Sequence, residues 1–161
     1  MDDMNDEWDD EWEKPYHSYY NSINEIIPGL FLSDYVAASN RNVITKNDIK
    51  KVISLGSYKN HNEYAVHDGI EYLFVFIDDH ESEPIGEHFA ECIKFIKSYP
   101  YRPVLVHCYA GISRSASIVI AYLISTGMSY FEAFRITKNK RPCINPNDGF
   151  IKQLEDFHNK R

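Results

Sequence analysis

Cysteine is scarce in this chain of 161 residues, and its three copies, Cys92, Cys108 and Cys143, are an odd number. A disulfide scaffold is therefore not expected, and a chain of this length can bury a full core without one. No apolar run approaches the roughly 20 residues of a membrane span. No apolar leader opens the sequence either, so the expected setting is a reducing, cytoplasmic one with nuclear access left open. A concentrated basic face is also missing, which argues against a nucleic-acid binder. His61, His67 and His80 match no metal-ligand spacing, and no metal or other cofactor is expected.

What the chain does carry is unevenly spread. The formal net charge is −7, but eight acids fall within residues 1–13, leaving sixteen acids against seventeen bases from Lys14 onward. Residues 1–22, where acids alternate with Trp8, Trp12, Tyr16, Tyr19 and Tyr20, read as a disordered arm. The alternative is that the two tryptophans, four apart, dock as one helix face on the domain or on a partner. The folded domain is expected over 23–161.

Within it, Ile26 to Ser33 reads as a turn followed by a short strand, and Asp34 to Ser39 as a short helix. Lys51 to Leu55 before Gly56 reads as a buried strand, and Tyr58 to Asp68 as a surface loop. Ile70 to Ile77 is a strand that delivers Asp78 and Asp79 into a loop. These carboxylates either cap a turn or serve as a general acid. Phe89, Cys92, Ile93 and Ile96 stand at helical spacing within Pro84 to Tyr99, which makes Cys92 a core residue. Ser129 to Glu132 is a capping box, and the helix it opens ends at Pro142. Asn145-Pro146 reads as the N-cap and first position of a closing helix. Strands alternating with helices predict an α/β fold, with a central, mostly parallel twisted sheet flanked by helices on both faces.

The stretch richest in chemistry is Pro103 to Ser125. Val104, Leu105 and Val106 form a buried strand that ends at His107-Cys108. An apolar helix follows from Ser115, with Gly127 as its left-handed C-terminal cap. Cys108 to Arg114 is thus a tight loop at a helix N-terminus, where amide N–H groups and the helix dipole favour an anion. A free thiol titrates near about 8.5, but beside cations at such a place it falls to roughly 3.5–7.5. Arg114 offers a planar fork to two phosphate oxygens. Gly111 lets the backbone turn without a side chain in the way. Ser115 has a hydroxyl to donate to the sulfur, and His107 is expected to hold the loop's shape and help the thiol ionise. A lone cysteine after an apolar strand would read as core. The whole string His-Cys-x-x-Gly-x-x-Arg-Ser is far more specific.

That string resembles the signature loop of the cysteine-dependent phosphatases. Ala110-Gly111-Ile112-Ser113-Arg114-Ser115 is similar to the dual-specificity branch. The likeness extends over about residues 26–157, so the chain resembles a small, atypical dual-specificity protein phosphatase. The resemblance implies that Cys108 attacks phosphorus, forming a phosphocysteine, while Arg114 and the loop residues His107, Tyr109, Ala110, Gly111, Ile112 and Ser113 bind the phosphoryl group. Ser115 stabilises the departing thiolate. The family's acid is an Asp after this strand. Asp79, seven residues after Tyr72 and ten before Phe89, fits the family's spacing, and Asp78 misses by one. Asn147, in a segment similar to the family's closing helix, braces the loop or caps its own helix. Cys143 is a bystander or a redox partner to Cys108.

Implied partners are phosphorylated proteins bearing phosphotyrosine, phosphoserine or phosphothreonine, such as a kinase or signalling protein. Nucleic acid and membranes are not expected as partners, and the oligomeric state is left open. Phosphoinositide phosphatases of this superfamily often place Lys in the loop, which this chain lacks. RNA 5′-triphosphatases share Cys-x5-Arg in more basic surroundings. Two further alternatives are a phosphoprotein-binding module with little turnover and an interaction protein working through its acidic arm.

Overall fold

The computed structural model describes residues 19–57, 66–98 and 100–161. The expectations for the arm up to residue 18, for the 58–65 part of the surface loop and for His61 lie outside the described residues. Five strands form one sheet: β1 (Ile23–Ile27), β2 (Leu30–Ser33), β3 (Lys51–Gly56), β4 (Glu71–Phe76) and β5 (Val104–His107). Their order is β1-β2-β5-β3-β4. Only β1 runs antiparallel to its neighbour, and every other pairing is parallel. The strand β1 was not expected: no element was assigned to residues 23–25, and the turn was read from Ile26 onward. Pro28-Gly29 makes the turn, with Gly29 at φ +82°, and sends Ile23–Ile27 back along β2.

Period-two alternation sorts the sheet's side chains between two cores. Leu30, Leu32, Ile53, Leu55, Val104 and Val106 face the larger one. There they meet α3 (Phe89–Lys97), α4 (Arg114–Ser125), α5 (Tyr130–Lys140) and α6 (Asp148–Asn159). Phe31, Val52 and Leu105 face the smaller core with Ala38 of α1 (Tyr35–Ser39), Ile44 of α2 (Arg41–Lys46) and Ile49. Helices therefore cover both faces, as the alternation of elements predicted.

The helix α4 is the centre of the larger core. Ile118, Val119, Ile120, Leu123 and Ile124 are all fully buried, each contributing about 1.5–3 kcal/mol relative to exposure. A helix held this firmly fixes the position of its own N-terminus, where the Cys108 loop ends. Gly127 takes the positive φ (+111°) expected of its cap. The Ser129/Glu132 capping box is present on α5. The expected helix over Pro84 to Tyr99 opens instead as a 3-10 turn, Ile85–His88, before α3. Cys92 is buried in the core, and its thiol is pushed up to about 12 by that burial.

One boundary differs from the sequence reading. The N-cap of α6 is Asn147, whose side chain accepts from Phe150 N, rather than Asn145. Asn145 N is already committed to the Ile112 carbonyl at 2.8 Å. Residues 145 and 146 are thereby held along the loop, and the helix begins after them.

Candidate active site

The strand β5 delivers His107, and α4 starts at Arg114; between them, every carbonyl from residue 108 to residue 113 is held from outside. Cys108 O faces His107 Nδ1 at 3.2 Å. Tyr109 O accepts from Tyr35 N at 3.1 Å. Ala110 O and Gly111 O accept from Arg141 at 3.3 and 2.8 Å. Ile112 O takes Asn145 N, and Ser113 O takes Ser117 N at 2.9 Å. In a planar trans peptide the N–H points opposite to the C=O. Carbonyls held outward therefore turn the N–H groups of residues 109–114 toward the loop's interior, which is the local requirement of an anion cradle.

Cys108 Sγ lies in that interior. It is 3.0 Å from Ser115 Oγ and accepts from Gly111 N at 3.3 Å. The residue is only 3% exposed, so the loop wraps the sulfur closely instead of offering it to bulk solvent. Arg114 donates from Nη1 to Ile77 O at 3.1 Å, just past the end of β4, while its buried Nε has no partner among the described residues. A buried guanidinium N–H left unmatched beside an anion cradle is a donor available to an anion. Ser113 Oγ accepts from Asn147 N at 3.0 Å. Tyr109 is half exposed, and its ring stacks on Tyr35 with centroids 4.8 Å apart. No group of acidic, histidine or cysteine side chains suited to a metal ion occurs among the described residues.

His107 departs from its expected part. Burial holds its ring down to about 4, well below the usual histidine range, so it is neutral near pH 7 and lends the thiol no positive charge. A carbonyl can only accept, so Nδ1 carries the proton toward Cys108 O, and Nε2 accepts from Ser54 Oγ at 2.7 Å. Both nitrogens are spent on the scaffold. With both bonded, the ring has no nitrogen left to bind a substrate.

The two aspartates after β4 lie on an exposed loop. Asn147 Nδ2 donates to Asp79 Oδ1 at 2.9 Å, which ties this carboxylate to the head of α6. Asn147 also caps its helix through its side chain and gives its backbone N–H to Ser113 Oγ. Further along α6, Gln153 donates to Glu83 O and accepts from Gly86 N. Gly149 lies so close to Glu81 that a Cβ would fall 1.9 Å from Glu81 O.

Two buried residues escaped the sequence reading. Asp34 caps α1 through Ala37 N and accepts from Asn21 N at 2.6 Å, and burial raises its carboxyl. Arg141 is fully buried. In sequence it stands at a helix C-terminus, where a cation normally faces solvent. The one available signal was the glycine 30 residues earlier. Gly111 has φ +67°, and a Cβ there would lie 2.6 Å from Ser33 O and 2.7 Å from Arg141 Nη2. The three cysteines are free thiols, and Cys143 is partly buried.

A sulfur ringed by inward amides, at the head of a buried helix in a mostly parallel sheet, defines an α/β domain suited to hold a small dianion against a cysteine. The comparisons narrow that class. The family model "Dual specificity phosphatase, catalytic domain" matches residues 30–160. Dual specificity protein phosphatase 15 of Mus musculus is 38% identical over 140 residues, 85% of this chain and 58% of the relative. Dual specificity protein phosphatase 22 of Homo sapiens is 34% identical over 140 residues, covering 85% and 74%. The crystal structure of human tyrosine phosphatase-like serine/threonine/tyrosine-interacting protein aligns with TM-score 0.81 and 37% identity, over 86% of this chain and 96% of that one. The chain belongs to the dual specificity phosphatase family. It spans little more than half the length of the mouse relative.

Proposed function

We propose that this chain is a cysteine-dependent protein phosphatase that hydrolyses phosphotyrosine and phosphoserine or phosphothreonine in a cytoplasmic setting. The observation that carries the reading is the Cys108 sulfur, in contact with both Gly111 N–H and the Ser115 hydroxyl inside a ring of inward amides. Cys108 attacks phosphorus in line. Arg114 and the amides hold the equatorial oxygens, where charge is stabilised in place without reorganisation. Asp79 donates a proton to the departing tyrosine, serine or threonine oxygen. Asn147 occupies its Oδ1, so Oδ2 is the oxygen that carries the proton. The resulting phosphocysteine is hydrolysed by a water that Asp79, now a carboxylate, deprotonates. Ser115 donates to the thiolate as it leaves, and phosphate is released.

The substrates on this reading are phosphorylated proteins, a kinase or other signalling protein among them. Turnover of an aryl phosphate and of matched phosphotyrosine and phosphothreonine peptides tests it, with phosphoinositide and RNA 5′-triphosphate as controls. Cys108→Ser is expected to lower turnover by ~10⁴-fold or more while keeping tungstate binding. Undiminished activity in that variant rules out the thiolate mechanism. The alternative reading, a phosphoprotein-binding module with little turnover, is not favoured, because the relatives are named as phosphatases. Tight phosphopeptide binding by the native protein with no turnover would select it.

A further inference from the structure

We propose that Arg141 is a positioning residue of the phosphatase site, orienting from behind the loop the amide that holds the nucleophile; this rests on the function proposed above. Its guanidinium is fully buried and has two sets of partners. On one side Nε and Nη2 donate to Gly111 O and Ala110 O. On the other, Nη1 donates to Ser22 O, Ser22 Oγ and Asn24 Oδ1 at 3.2, 2.9 and 2.8 Å.

The peptide unit joining residues 110 and 111 shows what this does. Its carbonyl is held by Arg141 Nη2, and its N–H is the donor to Cys108 Sγ. The next unit has its carbonyl on Arg141 Nε, so its N–H, that of Ile112, is turned inward as well. Gly111 is the residue between these units, at φ +67°. Glycine visits both signs of φ freely, so this is the part of the loop whose peptides flip most easily. Arg141 removes that freedom. Each of the other carbonyls in the loop is held by a neighbouring backbone or ring group. Only these two depend on a long side chain arriving from a distant helix end.

The far side of the clamp ties the loop to the start of β1. Ser22 and Asn24 fix the guanidinium, and Asn21 N is held by Asp34, the acid that faces Arg141 electrostatically. A planar fork of five donors fits this double duty, and a lysine ammonium would not. Arg141 touches neither sulfur nor substrate. Its effect is transmitted through the two peptide planes.

The test compares Arg141→Lys, and the double variant Ser22→Ala/Asn24→Ala, with the native chain. Three readouts are taken. These are kcat and KM on an aryl phosphate, inhibition by tungstate, and the thiolate absorbance of Cys108 followed against pH with the Cys108→Ser signal subtracted. Cys92 and Cys143 are both pushed up by burial and cancel in the subtraction. For Arg141→Lys, kcat/KM is expected to fall roughly 10- to 100-fold. Tungstate inhibition should weaken and the thiolate titration should move upward, with circular dichroism unchanged. The double variant should move all three readouts in the same direction by a smaller amount, and it decides the matter if Arg141→Lys does not fold. A folded variant with native kcat/KM, tungstate inhibition and thiolate titration overturns the proposal. A native chain without turnover would instead count against the proposed function, and tungstate binding and the thiolate titration still decide the part played by Arg141.

Discussion

The two loops that α6 brings together are built in opposite ways. The 108–113 loop is pinned at each successive carbonyl, wraps a sulfur that is nearly out of solvent, and has a fully buried arginine behind it. The 78–84 loop has an exposed face and rests on α6 through Asn147, Gly149 and Gln153. An anion cradle works only if its dipoles are already aimed when charge arrives, because re-aiming them costs free energy at that moment. The demand on a proton donor is looser, since one carboxyl need only come within hydrogen-bond reach of a leaving oxygen. Rigidity is concentrated where electrostatics require it.

The strongest way to break this contrast is to add one methyl group to the pinned loop. Gly111→Ala places a side chain at φ +67° against Ser33 O and Arg141. The backbone conformation alone costs about 1–3 kcal/mol, with the overlap added to it. Thermal unfolding should fall by several degrees, and turnover by roughly 100-fold or more.

Asp79→Ala probes the exposed loop. Turnover of phosphopeptides, with poor leaving groups, should drop ~10²–10⁴-fold, while an aryl phosphate with a good leaving group is nearly unaffected. Asp78→Ala should do neither. The reverse pattern would move the acid by one position.

His107 supplies a pH test of the pinned loop. Its folded value lies near 4 and its unfolded value near 6.5. The unfolded chain therefore takes up the proton first as pH falls. Stability from the neutral ring is fully present above pH 6.5, declines between 6.5 and 4, and is flat below. Native protein should lose on the order of 3 kcal/mol more over that window than His107→Gln, as read from urea unfolding at each pH. Equal losses would remove the histidine from the account.

The smallest effect is expected from the second glycine. Gly149→Ala places a Cβ 1.9 Å from Glu81 O, so the backbone of the exposed 78–82 stretch must shift. Phosphopeptide turnover should fall about 10-fold through misplacement of the acid, with a smaller loss of thermal stability than in Gly111→Ala, whose backbone φ adds strain. A large loss of stability would show that the acid loop is as firmly built as the cradle.

Much of this molecule was legible before any coordinates. Val104 to His107, the loop to Arg114 and the apolar run after Ser115 are contiguous, so strand, cradle and helix could be read from neighbours in the chain. Gly127 and the Ser129/Glu132 box could be read for the same reason. The strand β1 was missed because Ile23–Ile27 is short and only Ile26 is fully buried. The start of α6 was placed two residues early because a local cap signal at Asn145 was overruled by a bond to Ile112, 33 positions away.

Sequence alone brought the Cys108 thiol, the Arg114 guanidinium and the Ser115 hydroxyl into one short stretch, because residues 108–115 are contiguous in the chain. Tertiary structure alone decided what holds those atoms in place. It set His107 neutral by burying it, chose Asp79 over Asp78 as the carboxylate tied to Asn147, and turned a helix-end arginine inward onto two carbonyls. Each of these depends on contacts across 30 or more residues, where burial and hydrogen-bond satisfaction, rather than local propensity, select the outcome.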